Sequence, residues 1–467
     1  MTVQYLKKRL TYLVLSLPLL MAACNKSLDL HPSDNIDASK AYRKVSDLNE
    51  GLIGAYGSLG YSSIHNVSLE SDECTLPNDN TVGRNVSTYR WQLDPSNTTI
   101  TTPWQDNYIT IDRVNRVLAA VDVVASKPSE STLKAQYKGE LLALRAYAHM
   151  ELLRNFAEKY EPAAMGIPYM EESKISSPAR DQVSVVMDKI NADLEAAKKL
   201  LPDDFTDKTR VTKPAISAMQ ARVALYEKNW AQAASFAKEA IDAIPLASRT
   251  EFANIWTDAG DAEVFWKLKK TAAEGILVGD IYYDTRKILL YTPSYELVNQ
   301  FDKVKDVRFA AYILKVDNPN TGNSPWRVNK YLSKDGYINL ADIKLFRTGE
   351  MYLILAEALA ESNNLPDAAD ALNDLRAARI DGYVRQNFAG KQALIDAIYA
   401  ERFKELAFEG HRFFDLRRRD LPVTREPADA INAIGAVLLK PTDRQYVFPI
   451  PDAEIRANKN MKQNPNY

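Results

Sequence analysis

"MQARVALYEKNWAQAASFAKEAI" (219–241) and "ILAEALAESNNLPDAADALNDLR" (354–376) align without a gap. Ala221 falls on Ala356, Trp230 on Leu365, and Ala233-Ala234 on Ala368-Ala369. Both stretches carry apolar residues at helical spacing on either side of a polar turn, so each reads as two antiparallel helices. Alanines at matched positions let the helices approach closely, and the bulky residue after the turn fills the space between them. Recurrence of the unit predicts a scaffold of stacked helix pairs.

Outward from these units, residues 134–160 followed by 181–201 form a looser candidate for the same arrangement, so pairs are expected over about 134–244 and 344–379. They are similar to the tetratricopeptide helix pair. Amphipathic runs cover about 181–200, 213–228, 231–244, 344–362, 366–379 and 391–409, and a further helix is expected from Trp104 to Ala125. Two stretches break the pattern. Residues 60–103 are rich in Gly, Ser, Asn, Thr and Pro and read mostly as loop. In residues 245–343, "AEVFWKLKK" (262–270) alternates like a strand and "NPNTGNSPWRVNKYLSKDGYINLADI" (318–343) is turn-rich. The expected fold is mainly α, a helix-pair scaffold with irregular loop inserts and minor β, forming one domain over 40–467. Trp104, Trp230, Trp256 and Trp266 lie on periodic or alternating segments and are expected in the core.

A chain of 467 residues with 46% hydrophobic content can bury a large core. Lys and Arg total 59 against 61 Asp and Glu, leaving no basic excess to neutralise phosphates, so nucleic acid is not an expected partner. The histidines His31, His65, His149 and His411 are scattered and the two cysteines are far apart, so no metal motif forms and no cofactor is expected.

The amino terminus, "MTVQYLKKRLTYLVLSLPLLMAAC" (1–24), has the basic, apolar and small-residue regions of an export signal. Its end is similar to a bacterial lipobox, placing Cys24 for acylation and cleavage before it. Removing 1–23 takes away Lys7, Lys8 and Arg9 and no acid, so the net charge of the mature chain becomes about −5. Residues 24–39 read as a lipidated tether. Two acyl chains anchor firmly because each buried methylene contributes about 0.8 kcal/mol.

"ERFKELAFEGHRFFDLRRRDL" (401–421) concentrates three glutamates, five arginines and four phenylalanines. Continued as a helix, it places Ile395, Ile398, Tyr399, Arg402, Leu406, Glu409 and Phe413 on one inward stripe. Buried charges need partners, and Arg412 stands three residues from both Glu409 and Asp415. A hydrolase would use Glu405 and Glu409 as acid and base, but neighbouring arginines hold carboxylates ionised, whereas the acid needs a raised pKa. Internal pairing is the expected role. In the last segment, Pro449 and Pro451 exclude helix before Asp452, Asp452 and Glu454 suit a helix start, and Asn464, Pro465 and Tyr467 form a stiff tail expected to clasp the body.

The stretch "ERFKELAFEGHRFFDLRR" (401–418) together with "YVFPIPDAEIRANKNMKQNPNY" (446–467) resembles the SusD/RagB family of outer-membrane nutrient-binding lipoproteins. Weaker blocks agree at Trp104, Leu144, Thr292 and Arg347, so the resemblance spans nearly the whole mature chain. Lys459 and Asn466 depart from the family pattern, where proline and glycine are commoner. The resemblance implies four tetratricopeptide-like pairs, a shallow ligand site on loops, attachment to the outer membrane through lipid with the body facing the exterior, and a TonB-dependent SusC-like transporter as partner. It implies a binding protein, not an enzyme, for an oligosaccharide or, alternatively, an oligopeptide.

Sugars stack their C–H faces on aromatic rings while amides and acids bind their hydroxyls, so ligand candidates are sought in the inserts. Trp91 and Tyr89 are the first choice, with Asp72, Asn80 and Arg84 as polar neighbours. Tyr282, Tyr283 and Trp326 are the second. Asp72, Glu73 and Asp79 form an acidic group that is expected to be simply solvated.

Overall fold

Helices in the computed structural model follow the apolar stripes, and their ends follow the capping residues. The structure describes residues 41–467 except 276, 317–323 and 335; the expected signal (1–23), Cys24 and the tether (24–39) lie outside the described residues. The longer helices are α1 (Val45–Tyr56), α2 (Thr98–Val121), α3 (Ser131–Phe156), α4 (Val183–Leu200), α5 (Lys213–Tyr226), α6 (Trp230–Ala243), α7 (Thr348–Glu361), α8 (Leu365–Arg379) and α9 (Lys391–Glu405). Side chains of Asn97, Thr212 and Asn229 accept the free N–H groups that open α2, α5 and α6.

The helices pack in succession: α2 on α3, α3 on α4, α5 on α6, α6 on α7, and α7 on both α8 and α9. The repeat is visible in burial. Ala221 and Ala356 are fully enclosed, as are Ala233 and Ala368, while Trp230 and Leu365 are half-buried at the start of the second helix of each pair. Gly139 serves the same purpose in the α3–α4 pair, because a Cβ there would lie 3.0 Å from the Ala197 carbonyl oxygen. One apolar core runs through most of the body, and a second cluster lies among α7, α8 and α9.

Three boundaries differ from expectation, each for a local reason. Helix α2 begins at Thr98, not Trp104, and runs through Pro103. Proline lacks the N–H that would bond the Thr99 carbonyl, and the Asn66 amide donates to that oxygen instead at 2.8 Å. Residues 344–347, read as the start of a helix, belong with Ile343 to strand β2 (Ile343–Arg347), antiparallel to β1 (Val264–Leu268) with Val264 opposite Arg347. Pairing outweighs helical periodicity here, and because β2 is buried at every position its pattern was ambiguous. Helix α9 stops at Glu405; Phe408 (φ 65°) and Gly410 (φ 80°) turn the chain before a short helix, Arg412–Arg417.

Residues 60–103 are less of a loop than expected, holding short helices at Ser62–Glu70 and Val86–Tyr89. Cys74–Thr75 pairs with Thr292–Pro293, and Ile313–Lys315 pairs with Trp326–Val328. Trp104, Trp256 and Trp266 are enclosed. The carboxyl-terminal segment docks against the body: the Asn464 amide donates to the carbonyls of Phe156 (3.0 Å) and Phe448 (2.7 Å), satisfying the end of α3.

Candidate functional site

The charged stretch is internal from residue 401 to 418, with Arg412 half-buried. Glu405 is fully buried and receives Arg379 at 2.9 Å, Arg308 at 2.9 Å and Arg347 at close range. Glu409 accepts from Arg347 at 2.7 Å and from Lys330 at 2.6 Å. Glu263 on the insert bonds Arg379 at 2.8 Å and Arg347 at 3.0 Å, closing a network that joins insert, helix pair and turn. Burial alone would raise the Glu405 carboxyl, but Arg379, Arg347 and Arg308 outweigh it and hold it well below the usual range. Glu409 is likewise lowered, burial being outweighed by Arg347 and Lys330. Two ionised, enclosed carboxylates fixed by guanidinium groups provide no proton donor for glycoside cleavage.

Arg412 does not pair along its own helix. Its guanidinium grips Asp72 at 2.7 and 2.6 Å, while Asp415 is held by Arg402 at 2.9 and 2.8 Å. The chain turns between Glu409 and Arg412, so the helical spacing that suggested local pairs does not exist.

The first-choice ligand residues are enclosed. Tyr89 and Trp91 are 0% and 6% exposed, and the Arg425 guanidinium lies 3.8 Å from one ring centre and 4.2 Å from the other. The Tyr89 hydroxyl donates to the Asp429 carbonyl at 2.8 Å, and the Trp91 indole N–H to the Glu70 carbonyl at 2.8 Å. Packing of 62–91 against 423–437 occupies the surfaces that a sugar would need. Asp72 is taken up by Arg412, and the Glu73 carboxylate accepts the Phe408 N–H at 3.0 Å. Among the described residues no cluster of three metal-ligating side chains forms. Tyr282 is also enclosed, its hydroxyl bonded to Ser68 at 2.8 Å.

The remaining candidates reach the surface, and three of them converge. Tyr283 is half-buried and carries the Arg327 guanidinium 4.8 Å from its ring centre. Asn80 donates to the Leu290 carbonyl at 3.1 Å, and exposed Arg84 to the Asp280 carbonyl at 3.2 Å. Arg84 also lies 3.9 Å from Asp284, which accepts from Arg286 at 2.8 and 3.0 Å. The result is one face with an aromatic ring, three guanidinium groups, an amide and a carboxylate. The Nε of Arg327 has no hydrogen-bond partner among the described residues. Trp326 faces away, because strand neighbours alternate sides; its ring packs edge-on against Phe309 at 5.5 Å with Lys303 above it. Sequence reasoning missed Arg327 and Arg286, although each is adjacent to, or three residues from, a residue that was chosen.

This arrangement can be set beside known proteins. The model of the SusD family matches residues 312–467, and a second, described as starch-binding associating with outer membrane, matches 28–225. The chain is 23% identical to SusD-like protein P38 of Formosa agariphila over 98% of each chain. A SusD superfamily protein of Bacteroides thetaiotaomicron superposes with a TM-score of 0.82 at 23% identity, covering 91% of this chain and 100% of the other. A laminarin-binding SusD-like protein superposes with a TM-score of 0.71 at 21% identity, covering 91% and 100%. With the two family matches together spanning most of the sequence and the helix-pair fold shared throughout, the chain belongs to the SusD family.

Proposed function

We propose that this chain is a non-catalytic cell-surface lipoprotein that binds an oligosaccharide and passes it to a TonB-dependent outer-membrane transporter of the SusC type. The observation that carries the reading is the accessible face of Tyr283 and Arg327, bordered by Asn80, Arg84 and Asp284. A phenol ring offers a stacking surface, and the surrounding guanidinium, amide and carboxylate groups supply donors and acceptors for hydroxyls. The starch-binding, outer-membrane description of the matched family and the laminarin-binding relative support a saccharide as cargo. The export signal and Cys24 support anchoring by lipid, with the body turned to the exterior. Burial and ionisation of Glu405 and Glu409 weigh against a hydrolase.

Binding of the mature protein to a panel of oligosaccharides tests the reading. We expect one glycan class to bind without being shortened, and Tyr283→Ala or Arg327→Ala to weaken binding about tenfold, the loss of one stacked or charged contact of about 1.4 kcal/mol. Trp91→Ala should lower thermal stability while leaving affinity unchanged. Full affinity in both loop variants would remove this face from the assignment.

A further inference from the structure

A cavity of about 420 Å3 opens where the carboxyl ends of α3, α5, α7 and the short helix Arg412–Arg417 converge. It shares no residue with the Tyr283 face. Converging helix ends bring unpaired carbonyls together, and cations are needed there. Arg417 answers for α3: it donates to the Arg154 carbonyl at 2.9 Å and, at close range, to that of Ala157. Arg418 is bound by Glu357 at 2.5 and 2.6 Å, and Arg419 by Glu361. The floor is therefore electrically satisfied and fixed. Tyr160 and Tyr226 meet edge-on at 5.0 Å in its wall, each hydroxyl already bonded.

The rim is different. Lys159, Lys228, Glu161 and Asp420 line the cavity, and their side chains make no hydrogen bond or ion pair among the described residues. Half-buried Trp230 stands beside them. The internal repeat provides a comparison, because Lys228 and Trp230 correspond to Asn363 and Leu365 in the second pair. Lys228 and Asn363 share the left-handed conformation, φ 57° and 62°. Asparagine is the residue suited to it, and a lysine there carries a backbone cost that packing does not explain. A leucine plugs the second pair, so an indole is not required for closure. These two differences between the helix pairs line the same cavity.

Two free cations, two free carboxylates and an indole match a ligand having many hydroxyls and apolar C–H faces. We infer that this cavity is a second saccharide-binding pocket, with Trp230 as stacking platform and Lys159, Lys228, Glu161 and Asp420 as hydroxyl partners. Its volume falls in the range of small-ligand sites. The inference rests on the reading of the protein as a glycan binder.

Calorimetric titration of maltohexaose, cellohexaose, laminarihexaose and trigalacturonic acid, with a mixed hexapeptide library as control, tests it in four proteins: wild type, Tyr283→Ala, Trp230→Leu and Lys228→Asn. The last two take the residues of the second repeat, so the turn keeps a sequence already compatible with it. We expect sugar binding to persist in Tyr283→Ala and to weaken about tenfold in Trp230→Leu and in Lys228→Asn. In a Trp326→Phe background, sugar should also shift the emission of Trp230. If Tyr283→Ala alone abolishes all sugar binding, the second pocket is refuted and the loop face stands; if the repeat-derived variants leave every affinity unchanged, the second pocket is refuted. If Trp230→Leu abolishes binding and Tyr283→Ala leaves every affinity unchanged, the pocket stands and the loop face falls. Binding of peptide but no sugar, or of nothing, overturns both.

Discussion

Glu405 and Glu70 show how differently two buried glutamates can be treated. Glu405 is surrounded by Arg308, Arg347 and Arg379 and stays ionised. Both carboxyl oxygens of Glu70 are shielded with no hydrogen-bond partner among the described residues, and burial pushes its pKa well up, more than Arg425 and Arg417 pull it down. Burial thus favours the neutral form of Glu70. Glu405→Gln leaves guanidinium charge uncompensated and should cost about 3–5 kcal/mol in urea unfolding. Glu70→Gln exchanges that neutral form for another neutral group and should stay within about 0.5 kcal/mol of wild type. Equal losses in the two variants would contradict this division. At this scale the sequence showed which charges needed partners, but not where those partners were. Arg412 finds Asp72 across 340 positions, a distance no local spacing rule covers.

Among the elements, the opening turn of α7 is the most constrained. A Cβ on Gly349 would collide with Glu405 Oε1 and Arg347 Nη1, both held rigidly by the buried network. Gly349→Ala would gain about 1 kcal/mol of helix propensity. Overpacking against fixed charges costs about 1–3 kcal/mol, so a net loss of stability is expected, read as a lower melting temperature. An unchanged or raised value would mean that the network can yield. The helix pairs were legible because alanine recurrence and 3.6-residue periodicity carry the information locally. Boundaries were not, since Pro103 is tolerated only through Asn66, and residues 343–347 take strand form only because 264–268 lie beside them. The loop aromatics were legible as ring-bearing residues, yet Tyr89 and Trp91 face inward because Arg425, far along the chain, fills the gap between them.

For the molecule as a whole, two sets of carboxylates give opposite pH dependences. Glu405, Glu409 and Asp415 have lowered values: burial raises each, and the facing arginines, with Lys330 at Glu409, outweigh it. Their stability is present above the unfolded pKa and is lost as pH falls through the folded values. Glu73 is raised from 4.5 to about 8, mainly by burial, and the Phe408 N–H, Arg412 and Lys330 oppose the rise while Asp72 adds to it. Its contribution is complete below 4.5 and disappears as pH climbs through about 8. The change in thermal midpoint from pH 5 to 8 should therefore be less favourable in wild type than in Glu73→Gln, with both proteins failing steeply in strong acid. A slope identical in the two proteins would exclude Glu73 as its source.

The ties from Asp72 to Arg412, from Glu73 to Phe408 and from Tyr89 to Asp429 impose an order on the chain's maturation. The early helices cannot complete their bonding until more than three hundred later residues have been synthesised, and closing so long an intervening span is an entropic toll met at the end. Until then Arg425 is missing from between two waiting rings. A late stretch, residues 408–429, is thus the one that seals an early one, and a chain halted before it would present an unfinished, adhesive surface to its neighbours.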